Sequence, residues 1–307
     1  MELDQLETFL AVAEERSFSR AAVRLHRTQP AVSQVIRKLE ENVGEVLFDR
    51  PARDGSLTAS GELLRDYALR LLALRREASS ALDELKSLER GRLQLAANEY
   101  TCMYLLQAID RFGREFPHIS VAVHRMLASR IPDELNLRTF ELGVISFRPD
   151  PVQFRSVAVY SDTLAFIVGP NHPLASAKRV SINDLGDENF IAHNVSSPLR
   201  RRVIEAFQKY RTPLKMGIEL PTIEAIKRFV AMGNGVALVP DLTVARELQT
   251  GDLVRVSVDE LEVKRVLRLV HRRKATLSYA ATAFLRTVKT LAEEQGPPFH
   301  YQVERAG

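Results

Sequence analysis

Six basic side chains and no carboxylate lie between residues 16 and 39 of the 307-residue chain: Arg16, Arg20, Arg24, Arg27, Arg37 and Lys38. Acids flank this segment at Glu14, Glu15, Glu40 and Glu41. A surface without carboxylates suits a phosphate-rich partner, because each carboxylate there would repel the phosphates. The alternative, a merely solvated surface, usually mixes both signs of charge. The net charge of +4 is too small to decide between these interpretations.

The elements around this basic segment predict a helix-turn-helix. Apolar residues recur at helical spacing in the first 15 positions, and a short second helix follows. A third helix begins after Thr28, has Pro30 in its first turn and ends near Gly44. The following LFDRPARDGSLT predicts a two-stranded wing with its turn at Asp54-Gly55. The exposed face of the third helix would carry Gln29, Ser33, Gln34, Arg37 and Lys38.

From Thr58 onwards the pattern is that of one long helix with a heptad repeat. Its apolar positions alternate steps of three and four: Leu64, Tyr67, Leu71, Leu74, Ala78, Ala81, Leu85 and Leu88. So narrow a seam predicts pairing with a second helix, whereas a helix packed on its own domain normally has a wider apolar stripe. We therefore expect dimerisation through Leu64, Leu71, Leu74, Leu85 and Leu88.

The second half of the chain alternates strand-like and helix-like segments, which predicts an α/β domain with mostly parallel sheets. Its strands fall into two clusters, which predicts two lobes with a cleft between them. The final GPPFHYQVERAG has no periodicity and is expected to be disordered. The predicted organisation is a mainly α-helical winged helix-turn-helix domain at 1–58, a linker helix at 59–90, a two-lobed α/β domain at 91–296 and a tail at 297–307.

Residues with catalytic or metal-binding potential do not form a recognisable pattern. The seven histidines are scattered without an i, i+4 pair, which predicts no metal site and no cofactor. GNGVAL at 233–238 lacks a third glycine and follows a helix, so we expect a turn rather than a dinucleotide-binding loop. Cys102 is the one candidate nucleophile, because it lies near the start of a predicted helix, where the helix dipole could lower the pKa of the thiol. As the only cysteine it lacks a resolving partner, and it fits a small apolar packing residue better than a nucleophile.

The composition is that of an ordinary globular protein, with 45% apolar and 27% charged residues. One cysteine gives no internal disulfide, and no apolar run approaches the length that spans a bilayer. The start, MELDQLE, is acidic where a secretory signal would be basic. We expect a cytoplasmic protein without membrane contact.

The run SFSRAAVRLHRTQPAVSQVIRKLEENVGEVLFDR, followed by LTASGELL, closely resembles the signature of LysR-type transcriptional regulators. The second half resembles the effector-binding domain of that family, itself similar to periplasmic binding proteins, through YLLQAIDRFGREFP, LGVI, GPNHPLA and TIEAIKRFVAMGNGVALVP. The resemblance implies a homodimer or homotetramer. It also implies double-stranded DNA, a small-molecule effector and RNA polymerase as partners.

The resemblance also assigns roles in DNA binding. It places six residues at the major groove: Thr28, Gln29, Pro30, Ser33, Gln34 and Arg37. It places Arg50 and Arg53 on the wing, near the minor groove or the DNA backbone. Glutamine suits bidentate contact with adenine, whereas Arg37 and Lys38 suit phosphates, which position the protein without specifying sequence.

Three strand-to-helix turns of the α/β half carry polar side chains that we expect to meet at one cleft. They comprise Asn98, Glu99, Tyr100 and Thr101, then Ser196 and Ser197, and finally Thr222. Ligands of α/β folds bind beyond the carboxyl ends of strands, and helix N-termini there favour carboxylates or other small oxyanions. Thr222 is the strongest candidate, because it directly precedes IEAIKRFVAMG and matches a hydroxyl common in the family. The alternative is that each residue only caps its helix. Glu99 would disfavour small anions or select an effector with a donor.

The leading hypothesis is a ligand-responsive DNA-binding regulator that is not an enzyme and binds small polar or anionic metabolites between its lobes. A stand-alone solute-binding module is one alternative, but it leaves the first 90 residues without a role. The other alternative is a cysteine-dependent enzyme. It would need a base and an orienting group that the sequence does not display.

Overall fold

A computed structural model describes residues 1–49, 55–86, 91–195 and 197–304. The helices of this part are α1 (Leu3–Glu15), α2 (Phe18–Arg24), α3 (Gln29–Val43), α4 (Ala59–Lys86), α5 (Glu99–Glu115), α6 (Ile131–Asn136), α7 (Pro198–Lys209), α8 (Ile223–Ala231), α9 (Ala245–Thr250) and α10 (Tyr279–Gln295). The strands are β1 (Gly91–Ala97), β2 (Ile119–Arg125), β3 (Leu142–Ile145), β4 (Phe154–Val168), β5 (Arg179–Val180), β6 (Asn189–His193), β7 (Lys215–Leu220), β8 (Ala237–Pro240), β9 (Val254–Val258), β10 (Lys264–Arg272) and β11 (Phe299–Val303). The chain divides into two compact units, 1–91 with 133–141 and 92–132 with 142–307.

The first unit contains the predicted helix-turn-helix. Its core is formed by the apolar faces of α1 to α3 together with residues of α4, including Leu6, Phe9, Val12, Val32, Ile36, Leu39, Leu47, Ala68 and Leu72. Helix α3 begins where the sequence predicts, because the Thr28 hydroxyl accepts a hydrogen bond from the Ala31 N–H. It ends at Gly44, whose φ of +78° is the left-handed conformation that glycine adopts without strain.

Helix α4 is fixed to this core at its first turn. Oγ1 of Thr58 accepts a 3.0 Å hydrogen bond from the Gly61 N–H, as the capping prediction requires. Gly61 lies against the backbone of Leu47, since a Cβ added to Gly61 would be 2.2 Å from the Leu47 carbonyl oxygen. Phe48 and Leu57 form an antiparallel bridge at the base of the predicted wing, while Asp54 of its turn lies outside the described residues.

The second unit is built around the 15-residue strand β4, which runs through both of its lobes. The main sheet has the order β2-β1-β3-β10-β4-β9-β5, with β8 and β11 also paired to β4. Residues 154–163 of β4 pair with β10, and residues 164–168 pair with β8 and β9. We call the part around β1–β3, α5 and α10 lobe 1, and the part around β5–β9, α7 and α8 lobe 2.

The prediction of mostly parallel sheets is only partly right. The pairs β1–β3, β5–β9 and β6–β7 are parallel, but every pair that involves β4 or β10 is antiparallel. Two segments predicted as separate strands, VAVYS and LAFIVG, form the single strand β4. The chain passes from lobe 1 to lobe 2 along β4 and returns beside it along β10, so these strands run in opposite directions.

Each lobe has its own apolar core. In lobe 1 the inner faces of β1, β3 and β10 pack against α5 and α10, and the largest buried side chains there include Tyr104, Phe112 and Phe284. In lobe 2 the rings of Phe166 and Phe207 contact that of Phe190, with centroids 5.9 and 5.2 Å apart. Aromatic contacts of this kind stabilise a core beyond simple burial.

The prediction of a disordered tail at 297–307 is wrong for its central residues. Residues 299–303 form β11, which pairs antiparallel with β4. The Phe299 ring lies edge-on to the Tyr160 ring, with centroids 5.0 Å apart. A five-residue strand is too short to show periodicity in the sequence, and its order depends on the neighbouring β4. Residues 305–307 lie outside the described part.

Candidate functional site

The face of α3 that the sequence assigns to DNA is exposed in the structure. Thr28, Gln29, Pro30, Gln34, Arg37 and Lys38 are all exposed, while Val32, Ile36 and Leu39 are buried. Ser33 is half-buried, and its hydroxyl accepts a 3.0 Å hydrogen bond from the side-chain amide of Gln29. The amphipathic pattern therefore directs the predicted DNA-contacting side chains into solvent.

The basic segment 16–39 contains no acidic residue, but in the folded structure acidic residues from other parts of the chain contact several of its arginines. Arg24 contacts the carboxylates of Glu14 and Glu15, and Arg27 donates two hydrogen bonds to Asp4 at 3.1 and 2.8 Å. The guanidinium of Arg27 lowers the pKa of the Asp4 carboxyl. Arg20 likewise donates to the backbone carbonyl of Glu15. The contiguous basic surface is therefore smaller than the sequence predicts.

Arg37 and Lys38 differ from those three arginines. Neither makes an ion pair with any residue among 1–49, 55–86, 91–195 and 197–304. Both lie on the exposed side of α3 with Gln34. The predicted wing residues Arg50 and Arg53 lie outside the described part. On α3, two cations thus remain available for an anionic partner.

The heptad seam of α4 is exposed at Tyr67, Leu71 and Leu74. Tyr67, Leu71 and Leu74 are 54%, 38% and 47% exposed, although the neighbouring Ala68 and Leu72 are buried in the first core. Leu64 differs from the prediction, because it packs partly against that same core. The side chain of Leu85 and the whole of Leu88 lie outside the described part. An apolar stripe left in solvent beside an already buried face is typical of an interface with another chain.

The polar residues predicted to bind an effector cap their helices. Asn98 and Thr101 form a capping box at the start of α5, and the Thr101 hydroxyl also donates to the Val144 carbonyl. Ser197 accepts from the Arg200 N–H at 3.1 Å, and Thr222 accepts from the Ala225 N–H at 3.1 Å. Ser196 lies outside the described residues. The structural alternative therefore accounts for the side-chain contacts of these four residues.

Glu99 links two of the predicted turns where lobe 1 meets lobe 2, namely its own turn before α5 and the turn before α8, whereas no hydrogen bond among the described residues joins Ser197 to either turn. Its Oε1 accepts a 2.8 Å hydrogen bond from the backbone N–H of Ile223, the first residue of α8. Its Oε2 lies 3.4 Å from Nη2 of Arg125 and 3.5 Å from Nε2 of His193. We call Glu99, Arg125, His193 and Ile223 the cleft cluster. It consists of one carboxylate surrounded by donors.

Tyr100 forms the wall beside this cluster. Its ring packs against the core of lobe 2 and lies 5.4 Å from the His193 ring, measured between centroids. Burial, reinforced by the neighbouring Glu99 carboxylate, raises the pKa of the Tyr100 hydroxyl. Like an ordinary tyrosine, Tyr100 is protonated at neutral pH. Tyr100 thus offers a ring and a neutral donor from lobe 1.

Two members of the cleft cluster, Arg125 and His193, are absent from the site that the sequence predicts. Arg125 is the last residue of β2, and His193 is the last residue of β6. The rule that ligands bind beyond strand ends points to both positions. Neither residue begins a helix, and therefore the pattern of polar helix starts does not find them.

The described ranges show no candidate metal site. Among these residues no group of three or more His, Cys, Asp and Glu side chains is placed to hold a metal ion. Burial raises the pKa of the Cys102 thiol, which favours the packing interpretation over the activated thiol that the sequence left as an alternative. Gly233 and Gly235 have φ of +83° and +131°, so GNGVAL is a glycine-dependent turn.

No helix in this part of the chain has both the length and the apolar character to cross a membrane.

Comparisons with known proteins agree with this architecture. Residues 3–62 match the profile "Bacterial regulatory helix-turn-helix protein, lysR family", and residues 86–293 match the "LysR substrate binding domain". A "Probable RuBisCO transcriptional regulator" of Cyanidioschyzon merolae (strain NIES-3377 / 10D) is 32% identical over 289 residues, which cover 92% of this chain and 95% of that relative.

Solved structures share the fold. CbnR, a LysR family transcriptional regulator, has a TM-score of 0.74 at 22% identity, and the match covers 94% of this chain and 99% of CbnR. The CcmR regulatory domain of Synechocystis PCC6803, in complex with 2-PG, has a TM-score of 0.62 at 24% identity and covers 67% of this chain and 99% of that domain. With two family profiles covering most of its length, the chain belongs to the LysR family of transcriptional regulators.

Proposed function

We propose that this regulator binds DNA through α3 as a homodimer or homotetramer and responds to a small oxyanion held between lobe 1 and lobe 2. The observation that carries the DNA part is the exposed face of α3, where Arg37 and Lys38 make no ion pair with a described residue. The proposed domains are 1–58 for DNA binding, 59–90 for dimerisation and 91–296 for effector binding.

The residues of α3 divide into two chemical roles. Gln29 and Gln34 read base edges, because a glutamine amide pairs bidentately with adenine, and Thr28 and Ser33 add less specific hydrogen bonds. Arg37 and Lys38 bind phosphates and set the position of the helix on the duplex. Arg50 and Arg53 are proposed to extend these backbone contacts from the wing.

Dimerisation is supported by the exposed stripe of Tyr67, Leu71 and Leu74. A partner helix would remove these apolar surfaces from water, and a fully buried leucine contributes ~1.5–3 kcal/mol. A two-fold protein reads a two-fold DNA site, so we expect imperfectly palindromic targets. Pairing of Gln29 and Gln34 with adenine favours AT-rich half-sites.

The effector class follows from the cleft cluster. A helix N-terminus, a guanidinium and a histidine surround one point in the cleft, and all three favour an acceptor with negative charge. A small carboxylate or phosphate ester satisfies this set. The regulatory domain of CcmR, a structural neighbour, was solved in complex with 2-PG, and 2-PG is therefore a first compound to test.

We propose that the chain is not an enzyme and acts in the cytoplasm. Burial of Cys102 and the raised pKa of its thiol favour a packing role over nucleophilic chemistry. RNA polymerase is the proposed partner through which DNA binding affects transcription.

DNA binding by the full-length protein tests this proposal. Fluorescence anisotropy should show binding to the DNA upstream of its own gene in preference to a shuffled duplex of identical composition, with one dimer per palindrome. Addition of the true effector should change the affinity or the DNase I footprint. Equal affinity for the native and shuffled duplexes would contradict the proposal.

A further inference from the structure

We infer that Glu99 is an internal ligand of the cleft, so that an oxyanion effector acts by displacing the Glu99 carboxylate from the N-terminus of α8. This inference rests on the proposed function, because it explains how the same cleft responds to an effector. Glu99 belongs to α5 of lobe 1, whereas Ile223 and His193 belong to lobe 2. The Glu99–Ile223 hydrogen bond of 2.8 Å therefore joins the two lobes.

The cleft cluster is built for an oxyanion. Ile223 opens α8, a helix of nine residues, so its N–H points away from the helix and carries part of the positive end of the helix dipole. Thr222 accepts from Ala225 and leaves the Ile223 N–H to Glu99. In place of an external anion, the chain supplies its own carboxylate.

His193 independently points to an acceptor at this position. Its Nδ1 accepts a 3.2 Å hydrogen bond from the Val195 N–H, so the neutral ring carries its proton on Nε2. The side chain is only 10% exposed. Within the described ranges Nε2 has no hydrogen-bond partner, and Oε2 of Glu99 stops 3.5 Å away. A buried donor left without an acceptor is unfavourable, so a ligand oxygen that reaches Nε2 gains a bond that Glu99 does not provide.

The surroundings of Glu99 favour displacement over addition of a cation. A cationic effector group on Glu99 would lie beside the Arg125 guanidinium and the positive end of α8, where like charges repel. An oxyanion that replaces the Glu99 carboxylate instead accepts hydrogen bonds from the same donors, the Ile223 N–H and the Arg125 guanidinium. The effector thus replaces the Glu99–Ile223 hydrogen bond between the lobes with contacts of its own. Because that internal bond must break first, the native protein binds the effector more weakly than a protein without the Glu99 carboxylate.

Titration calorimetry on the full-length chain, with inorganic phosphate and with oxalate at constant ionic strength, tests the inference. Glu99→Ala should bind at least one of these anions about tenfold more tightly than the native protein. Glu99→Gln should gain less, because its amide oxygen still accepts from Ile223. Comparing the two anions distinguishes a phosphate-selective site from a carboxylate-selective one. Adding His193→Ala to Glu99→Ala should remove most of the gain.

Glu188→Ala is the matched control. Glu188 is 24% exposed and lies 3.3 Å from Nε2 of His172, much as the 25% exposed Glu99 lies beside His193, but it is outside the cleft cluster. It should not change anion affinity. If Glu99→Ala fails to fold, Glu99→Gln is compared with Glu188→Ala instead, and a smaller gain in anion affinity is expected.

Three outcomes would overturn the inference: no gain over Glu188→Ala, a gain that survives His193→Ala, or no binding of either anion by any variant. The proposed function fails on a separate result, namely a native protein that does not prefer its upstream DNA.

Discussion

Arg265 donates two hydrogen bonds to the carboxylate of Asp162, from Nε at 2.7 Å and from Nη2 at 2.6 Å. The two residues face each other on β10 and β4, next to the point where β4 leaves lobe 1 for lobe 2. Both side chains are 4% exposed. A buried ion pair gains little net stability, but each charge depends on the other, because neither has water to replace its partner.

Asp162→Asn should therefore destabilise the protein by about 3–5 kcal/mol, since it leaves the Arg265 charge buried without a counter-ion. Urea unfolding followed by circular dichroism measures this loss. The control is Asp187→Asn, which breaks an exposed ion pair with Lys215 and should change the unfolding midpoint little. Similar midpoints for both variants would show that the buried pair has no special weight.

The α3 face can be tested by separating base contacts from phosphate contacts. Gln34→Ala should reduce discrimination at one base pair per half-site by about 1–3 kcal/mol. Arg37→Ala should weaken binding to all sequences alike and reduce the salt dependence by about one ion for each phosphate that the variant no longer neutralises. Affinity for a panel of operator variants at several salt concentrations measures both effects.

Arg27→Ala provides the matched control for that experiment. It removes the same charge, but Arg27 is already paired with Asp4, so DNA affinity should fall less than for Arg37→Ala. An unchanged base preference in Gln34→Ala would show that another surface reads the DNA.

The seam on α4 should determine the oligomeric state. A Leu71→Glu, Leu74→Glu double variant places two carboxylates in the proposed apolar interface and should sediment as a smaller species. It should also bind its operator more weakly, because two linked half-sites no longer engage together. Ser79→Glu adds a carboxylate at an exposed position of α4 outside the seam and should leave the oligomer intact. An unchanged sedimentation coefficient for the double variant would refute this role of the seam.

The thermal stability of the fold should depend on pH because of Glu304, the residue that follows β11. Burial opposes ionisation of this carboxyl, but hydrogen bonds from Arg268 and Ser156 outweigh it and hold the pKa below its ordinary range. The ionised carboxylate therefore stabilises the fold at pH values above the ordinary glutamate pKa. This stabilisation is lost as the pH falls through the lowered pKa of Glu304 and the carboxylate becomes protonated. Glu304→Gln should therefore melt at a lower temperature at pH 7, and its difference from the native protein should shrink towards acid pH.

Thermal melts between about pH 2 and 7 measure this difference, because the loss is expected below the ordinary glutamate pKa. Glu293→Gln serves as the control, because Glu293 is exposed on α10 in a surface ion pair and its loss should change the melting temperature at pH 7 little. A difference between Glu304→Gln and the native protein that is constant across this range would contradict the linkage.

The thiol of Cys102 should react slowly. Burial raises its pKa, so less thiolate is present at neutral pH than for a cysteine in solution. The rate of labelling by Ellman's reagent should be below that of free cysteine and should keep rising at pH values where free cysteine has reached its plateau. Labelling as fast as that of free cysteine would indicate an activated thiol and would reopen the enzyme hypothesis.

The sequence by itself determined the features that depend on neighbours three or four residues away. Thr28, Thr58, Ser197 and Thr222 cap the helices that follow them, and each bond closes within three residues. The amphipathic spacing of α3 likewise separated Ile36 from the exposed DNA face. Such contacts form wherever the chain becomes helical, and therefore spacing and residue type suffice to predict them.

Only the tertiary structure decided which distant groups meet. Glu99 reaches Ile223 across 124 positions of sequence, and Arg27 reaches Asp4 across 23. Charge counts along the chain could not show that Asp4 pairs with Arg27 and so reduces the basic surface that the sequence predicts. Nor could charge counts show that the Glu99 carboxylate lies at the N-terminus of α8, where we propose that an oxyanion binds. These contacts depend on how strands and helices pack, and that packing is set by the burial of apolar surface over the whole unit rather than by any local pattern.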